Sequence, residues 1–128
     1  MEPLVKNLME TWQMLAQEVI RLNESANDMI KVERELALAP YLIDEIIEDP
    51  DESPLVVIVA MKQDKNNLHQ QLVELAATIN NTQPHFSHPP ESTELQNLSH
   101  NTQAILKFLV KIDLDGIEQS LESLVNNQ

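Results

Sequence analysis

Apolar side chains recur at alternating steps of three and four residues from Val5 to Leu36. The positions of this first apolar series are Val5, Leu8, Trp12, Leu15, Val19, Leu22, Ala26, Met29, Glu33 and Leu36. Glu33 is the only polar residue among them. Such spacing aligns about one side chain per turn on a single helical face, and neither glycine nor proline interrupts it. The series therefore predicts one long helix over residues 3–39, which Pro40 ends.

Further apolar residues lie beside this series and make its stripe wider than the two positions per heptad of a coiled-coil seam. These flanking residues are Met9, Ala16, Ile20 and Ile30. A stripe of this width is typical of a helix that is buried in a bundle.

A second apolar series predicts a helix over residues 54–80. Its positions are Ile58, Met61, Lys65, Leu68, Leu72, Leu75 and Ile79. Ser53 is placed to cap this helix, and Pro54 is placed at its first position, where a missing N–H costs nothing. The β-branched run at 55–60 also fits a buried strand. Helix is favoured because the chain offers no second strand with which this one could pair.

A third apolar series predicts a helix over residues 93–112, which opens with the capping-box spacing Thr93–Gln96. Its positions are Leu95, Leu98, Thr102, Ile105, Leu109 and Ile112. Shorter amphipathic stretches predict two more helices, at 41–48 and at 117–126. Residues 81–92 hold three prolines and a polar composition, and are predicted to form a linker.

These elements predict an all-α fold. The expected architecture is an antiparallel three- to four-helix bundle, with one long N-terminal helix and a Pro-rich linker, in a single domain over residues 1–128. The chain contains one glycine in 128 residues. This scarcity argues against β-rich folds with many tight turns, because such turns need positive φ angles. It also excludes every glycine-rich phosphate loop.

The sequence offers little chemistry for a catalytic or metal site. The absence of cysteine excludes thiolate nucleophiles, and the Glu-x-x-His motif of carboxylate metal sites in bundles does not occur. Residues 49–53 begin like a calcium loop, but Pro54 stands where that loop needs a glycine. His85 and His88 are too few ligands for zinc. We predict a non-enzymatic protein without catalytic, cofactor-binding or metal-ligating residues, and without a cofactor.

The chain is strongly acidic, with 21 Asp and Glu residues against 8 Lys and Arg residues and a formal net charge of -13. This charge argues against direct binding of nucleic acid or of anionic membranes. The longest apolar run, Leu55–Met61, is far shorter than the about 20 residues of a membrane helix, so no membrane insertion is expected. The absence of cysteine and of a secretory signal favours a cytoplasmic location.

A small, acidic, cysteine-free and helical chain of this kind resembles the flagellar and type III export chaperones. The resemblance is carried by the terminal helix Ile117–Val125 and by the stripe of the first helix, Leu8, Trp12, Leu15 and Val19. It implies that an amphipathic helix of a secretion substrate binds in a groove of this protein. The implied partner-binding residues are Trp12, Leu15, Val19, Ile117, Leu121 and Leu124. Trp12 also fits a buried core position, as tryptophan often does.

We therefore expect a protein-binding adaptor or export chaperone with a protein partner. At a rise of about 1.5 Å per residue the first helix would be about 54 Å long, against about 40 Å for the second. The excess length favours a homodimer or a hetero-complex. Two alternatives stay open, namely a structural subunit of a helical multiprotein complex and an acidic decoy of a nucleic-acid-binding protein. In such a decoy, the segment that binds the basic groove of the partner would be the stretch Glu33–Pro54, which holds eight acidic residues and one basic residue.

Overall fold

The structure is a computed structural model that describes residues 2–43 and 53–126. Its helices are α1 (Pro3–Leu38), α2 (Pro54–Thr82), α3 (Glu91–Val110) and α4 (Leu114–Asn126). A short 3-10 turn, Gln83–His85, follows α2 directly. Because the two described ranges contain no strand, the predicted all-α class is confirmed. The short helix predicted at 41–48 lies mostly outside the described residues, of which 41–43 are helical.

α1 buries the stripe that its spacing predicts. Every position of the first apolar series is buried except Trp12 and Glu33, which are half-buried. The predicted widening of this stripe is only partly right, because Ala16 is buried whereas Ile20 and Ile30 are exposed. The buried face of α1 is therefore narrower than the sequence suggests.

α2 begins as predicted, with a serine cap and a proline in its first turn. The backbone N–H of Leu55 donates to Ser53 Oγ at 3.2 Å, and the helix starts at Pro54. Within the β-branched run, Ile58 is fully buried whereas the valines on both sides of it are exposed. Burial then returns at Met61, three residues on, which is the period of a helix rather than of a strand.

The Pro-rich connection is shorter than predicted. α2 continues to Thr82, and α3 begins at Glu91, two residues before the predicted start. The predicted capping box at Thr93–Gln96 is wrong, because the N-cap of α3 is Pro90 and no side chain caps the helix. Glu91 and Glu94 instead place negative charge in the first turn, where the helix dipole favours it.

α4 begins at Leu114, three residues before the predicted start. Its first turn is capped by Asp113, whose Oδ1 accepts a hydrogen bond from the backbone N–H of Gly116 at 2.9 Å. A Cβ atom at position 116 would run into the Asp113 carboxylate. The only glycine of the chain therefore lies inside the first turn and leaves room for the cap, instead of separating two helices.

The described chain forms two compact units, each built from two separate stretches of sequence. Unit 1 comprises Met1–Arg21 and Asn66–Lys111, and unit 2 comprises Leu22–Lys65 and Ile112–Gln128. The most deeply buried side chains of unit 1 include Val5, Val19, Leu72, Ile79, Leu95, Thr102 and Leu109. Those of unit 2 include Ile43, Ile58, Leu114 and Leu121. The single domain over residues 1–128 stays a prediction.

In unit 2, two lysines of α2 reach the start of α4. Lys62 Nζ lies 2.9 Å from Asp115 Oδ1 and 3.0 Å from Glu118 Oε1. Lys65 Nζ donates to the backbone carbonyl of Ile112 at 2.8 Å. This contact explains a charged residue within the second apolar series, because the stem can lie along apolar neighbours while the ammonium group reaches the Ile112 carbonyl.

Candidate binding cleft beside Trp12

A cleft of about 150 Å³ lies between α1 and α3 in unit 1. α1 contributes Met9, Trp12 and Gln13, and α3 contributes Glu94, Asn97, Leu98 and Asn101. Met9 is three and four positions from Trp12 and Gln13, and Asn97 and Leu98 are three or four positions from Glu94 and Asn101, which puts the lining of each helix on one face. The periodicity that builds the core of unit 1 thus also lines the cleft.

Trp12 brings a buried hydrogen-bond donor to this cleft. The residue is half-buried, and its Nε1 atom is inaccessible to solvent and has no hydrogen-bond partner in the protein. An indole N–H can only donate. Buried donors of this kind nearly always have a partner, because desolvation without a hydrogen bond is costly. The Trp12 N–H group therefore lacks an acceptor within the protein, and an acceptor on a bound molecule reaches it once the neighbouring side chains that exclude water move aside.

Glu94 brings a buried acceptor to the same cleft. Its Oε2 atom is also inaccessible to solvent and without a hydrogen-bond partner in the protein. Among the described residues, Trp12 Nε1 and Glu94 Oε2 are the only two buried side-chain polar atoms without a partner. Both residues line the same cleft, so the buried side-chain atoms without a hydrogen bond in the described chain belong to this one place.

The rest of the lining defines what the cleft can hold. Its walls are mainly apolar, and the amide side chains of Gln13, Asn97 and Asn101 are exposed. Glu94 is the only titratable residue in the lining, so the cleft holds no acid–base pair. The arrangement suits an apolar group that carries one hydrogen-bond acceptor and one donor.

The structure places the six predicted partner-binding residues in different environments. Leu15, Val19, Ile117 and Leu121 are buried in the chain itself. Trp12 lines the cleft. Leu124 is half-buried and lines a broad, open depression of about 610 Å³ in unit 2, together with Glu33, Ala37, Gly116, Gln119, Ser120 and Ser123. Of the six residues, only Trp12 and Leu124 have side chains that a partner could contact in this conformation. That a partner contacts them stays a prediction.

Sequence reasoning did not single out Glu94, Asn97 or Asn101. A signal for them exists, because these polar residues repeat at steps of three and four directly beside the buried Leu95, Leu98 and Thr102. A polar row that follows an apolar row along a helix marks the edge of its buried face. Which elements of the fold meet at that edge is not encoded in the spacing.

The other chemistry considered from the sequence finds no site in the described part of the chain. No group of three or more His, Asp or Glu side chains in residues 2–43 and 53–126 could hold a metal ion. Asp49 and Asp51 of the calcium-loop pattern lie outside these ranges, as does much of the acidic stretch Glu33–Pro54. None of the described helices has both the length and the apolar content that a membrane crossing requires.

No family model, curated protein or solved structure matches this chain.

Proposed function

We propose that this protein is a non-enzymatic adaptor that holds an amphipathic segment of a partner protein at the cleft beside Trp12. The observation that carries the proposal is the unpartnered indole N–H group of Trp12, buried in an apolar cleft. Tryptophan is among the residues most enriched at the energetic centres of protein interfaces. A buried polar atom without a partner costs folding free energy, and a binding function accounts for its presence.

The size of the cleft favours a side chain of a protein over a whole small molecule. Pockets for cofactors and drug-sized ligands commonly have volumes of about 300–1,000 Å³. The cleft has about 150 Å³. An apolar cavity of roughly this volume accommodates a molecule the size of benzene. It therefore suits one large apolar side chain, and the rest of the partner segment would lie across the rim formed by Gln13, Asn97 and Asn101.

The proposal also includes three predictions from the sequence. They are an antiparallel arrangement of the helices, a cytoplasmic location and an export-chaperone role for a secretion substrate. Helix-in-groove binding would fit that role, since an amphipathic helix supplies apolar side chains at steps of three and four. A protein partner, or a second copy of this chain, would then cover the cleft.

Site-directed photo-crosslinking in the native host tests the proposal. A photoreactive amino acid replaces Gln13 at the rim of the cleft, and the matched control replaces Gln71, an exposed glutamine of α2 in the same unit that does not line it. We expect a discrete crosslinked partner from position 13 and none from position 71. The purified partner should then change the fluorescence of Trp12, the only tryptophan. Equal crosslinking from both positions, or unchanged fluorescence, would contradict the proposal.

A further inference from the structure

We infer that the cleft recognises a carboxamide, the side chain of Asn or Gln, next to an apolar side chain of the bound segment. The carboxamide oxygen accepts the hydrogen bond from Trp12 Nε1, and its NH₂ group donates to Glu94 Oε2, once the bound segment has displaced the side chains that exclude water from these two atoms. The inference rests on the proposed function, because it names the partner chemistry of the same cleft.

The two unpartnered atoms exclude chemical groups that only donate or only accept a hydrogen bond. A carboxylate supplies an acceptor for Trp12, but it has no donor and is repelled by Glu94. An ammonium or guanidinium group pairs with Glu94, but it has no acceptor for Trp12. An ester or ketone also leaves Glu94 without a donor. A carboxamide carries an acceptor and a donor on one carbon atom, and it is neutral, so it satisfies both atoms at a small desolvation cost.

The helical form of the proposed partner segment favours a side-chain amide over a backbone amide. Inside a helix, each backbone N–H is paired with the carbonyl four residues earlier, so the backbone has no free donor and acceptor at one place. An Asn or Gln three or four positions from a large apolar residue lies beside it on the same face. The apolar residue would fill the cleft while the amide meets Trp12 and Glu94.

The cleft selects among ligands because a ligand that lacks a donor or an acceptor leaves Trp12 Nε1 or Glu94 Oε2 without a hydrogen bond. A site that hydrogen-bonds its ligand through buried groups discriminates against analogues that leave those groups unpaired. Loss of one hydrogen bond to a charged group lowers affinity by roughly tenfold. We therefore expect an amide ligand to bind about ten times more tightly than an otherwise similar ligand without a donor.

Three small ligands with one branched tail test the inference on the full chain: isovaleramide, methyl isovalerate and isoamyl alcohol. The readout is the indole N–H signal in a nitrogen-15 correlation spectrum, which is a single peak because Trp12 is the only tryptophan. We expect isovaleramide to bind most tightly, about tenfold better than the ester, and to move this peak downfield. Glu94→Met should abolish the preference for the amide over the ester. Glu91→Met, which removes a charge from the same helical turn but not from the cleft, should retain it.

Several outcomes would overturn the inference. Equal affinity for the amide and the ester would mean that the cleft accepts the tail alone and that Trp12 and Glu94 form no hydrogen bond with the ligand. Tightest binding of the alcohol, no response to any ligand, or an amide preference that survives Glu94→Met would overturn it as well. Failure of the crosslinking at position 13 is a separate result. It would remove the proposed adaptor function and leave the measured amide preference of the cleft in place.

Discussion

At the scale of single residues, Trp12 and Glu94 each hold one polar atom away from water without a partner in the protein. Leaving a buried polar atom unpaired costs about 1–3 kcal/mol. Binding sites commonly keep such unfavourable groups, and substitutions that remove them gain stability and lose function. A substitution that removes one of these two atoms should therefore raise the stability of the protein and weaken binding at the cleft.

Glu94→Met should raise the free energy of unfolding by about 1 kcal/mol, because removal of the unpartnered carboxylate oxygen from mainly apolar walls outweighs the few tenths of a kcal/mol lost with its charge in the first turn of α3. Glu91→Met is the control. It should lower stability by a few tenths of a kcal/mol, because the first turn of α3 loses a charge that the helix dipole favours. Denaturant titrations of both variants and the wild type measure the difference. A loss of stability in Glu94→Met would mean that the favourable interaction of its charge with the helix dipole outweighs the cost of the unpartnered oxygen.

The sequence predicts the position of Trp12 on α1 but not the state of its N–H group. The spacing of the first apolar series depends on neighbours within one helix, so it can be read along the chain. Whether the indole finds an acceptor depends on which residues of α3 lie opposite. Those residues are about eighty positions away, and nothing in the local pattern around Trp12 specifies them.

At the scale of helices, the start of α4 depends on the carboxylate of Asp113 and on the lack of a side chain at Gly116. Asp113 caps the first turn by accepting a hydrogen bond from the N–H of Gly116, and the carboxylate occupies the space where a Cβ atom at position 116 would lie. Glycine at a helical position costs up to about 1 kcal/mol relative to alanine. A side-chain cap contributes a similar amount. The two effects are coupled through the same space.

Gly116→Ala should therefore change stability little in the wild type, because the gain in helix propensity is offset by displacement of the cap. In an Asp113→Ala background the same substitution should be stabilising, since no cap remains to be displaced. A double-mutant cycle, measured by thermal or denaturant unfolding, should give a coupling of about 1 kcal/mol between the two positions. Additive effects would show that the carboxylate moves aside without loss.

The contact of Lys62 with α4 changes the titration of the groups that it joins. Hydrogen bonds that the Lys62 ammonium group donates to Asp115 and Glu118 raise the pKa of Lys62 above its ordinary value. The hydrogen bond from Lys62, with its positive charge, holds the pKa of Asp115 below its ordinary value. A carboxyl group with a lowered pKa in the folded protein stabilises the fold only while it is ionised.

The contribution of Asp115 should therefore be present above its ordinary pKa of about 4 and disappear as the pH falls through the lower value of the folded state. We expect Asp115→Asn to destabilise the protein at neutral pH, and the difference from the wild type to shrink below about pH 4. Urea titrations across this range measure it. In a Lys62→Met background, Asp115→Asn should have a much smaller effect at every pH. An unchanged effect there would assign the stabilisation to another neighbour.

The helices themselves were predictable, and their ends were not. Steps of three and four place Ile58, Leu72 and Leu95 on buried faces because the helical period fixes those faces. Ends depend on capping, for which local sequence gives several candidates. The cap predicted at Ser53 is confirmed, whereas α3 begins two residues before its predicted start because its cap is Pro90, which offers no side-chain hydrogen bond. α4 begins before the predicted residue 117 because Asp113 caps a first turn that includes Gly116.

At the scale of the whole molecule, charge is the dominant feature. Acidic residues outnumber basic ones by 21 to 8, so most carboxylates have no cation to pair with. Net charge of one sign destabilises a compact state through repulsion between its own groups. Exposed ion pairs such as Arg21 with Glu18 contribute little in return. Repulsion among carboxylates should therefore outweigh attraction in the response of the whole fold to salt.

Raising the concentration of sodium chloride from about 0.01 M to about 1 M shortens the Debye length from about 30 Å to about 3 Å. We expect the melting temperature at neutral pH to rise over this range, because screening relieves the repulsion. The rise should be larger in Lys62→Met, which loses the ion pairs with Asp115 and Glu118 that salt weakens in the wild type. Potassium chloride at equal ionic strength should act alike, since the effect depends on screening. A melting temperature that falls with salt would mean that ion pairs, and not the excess of carboxylates, govern the electrostatics of this fold.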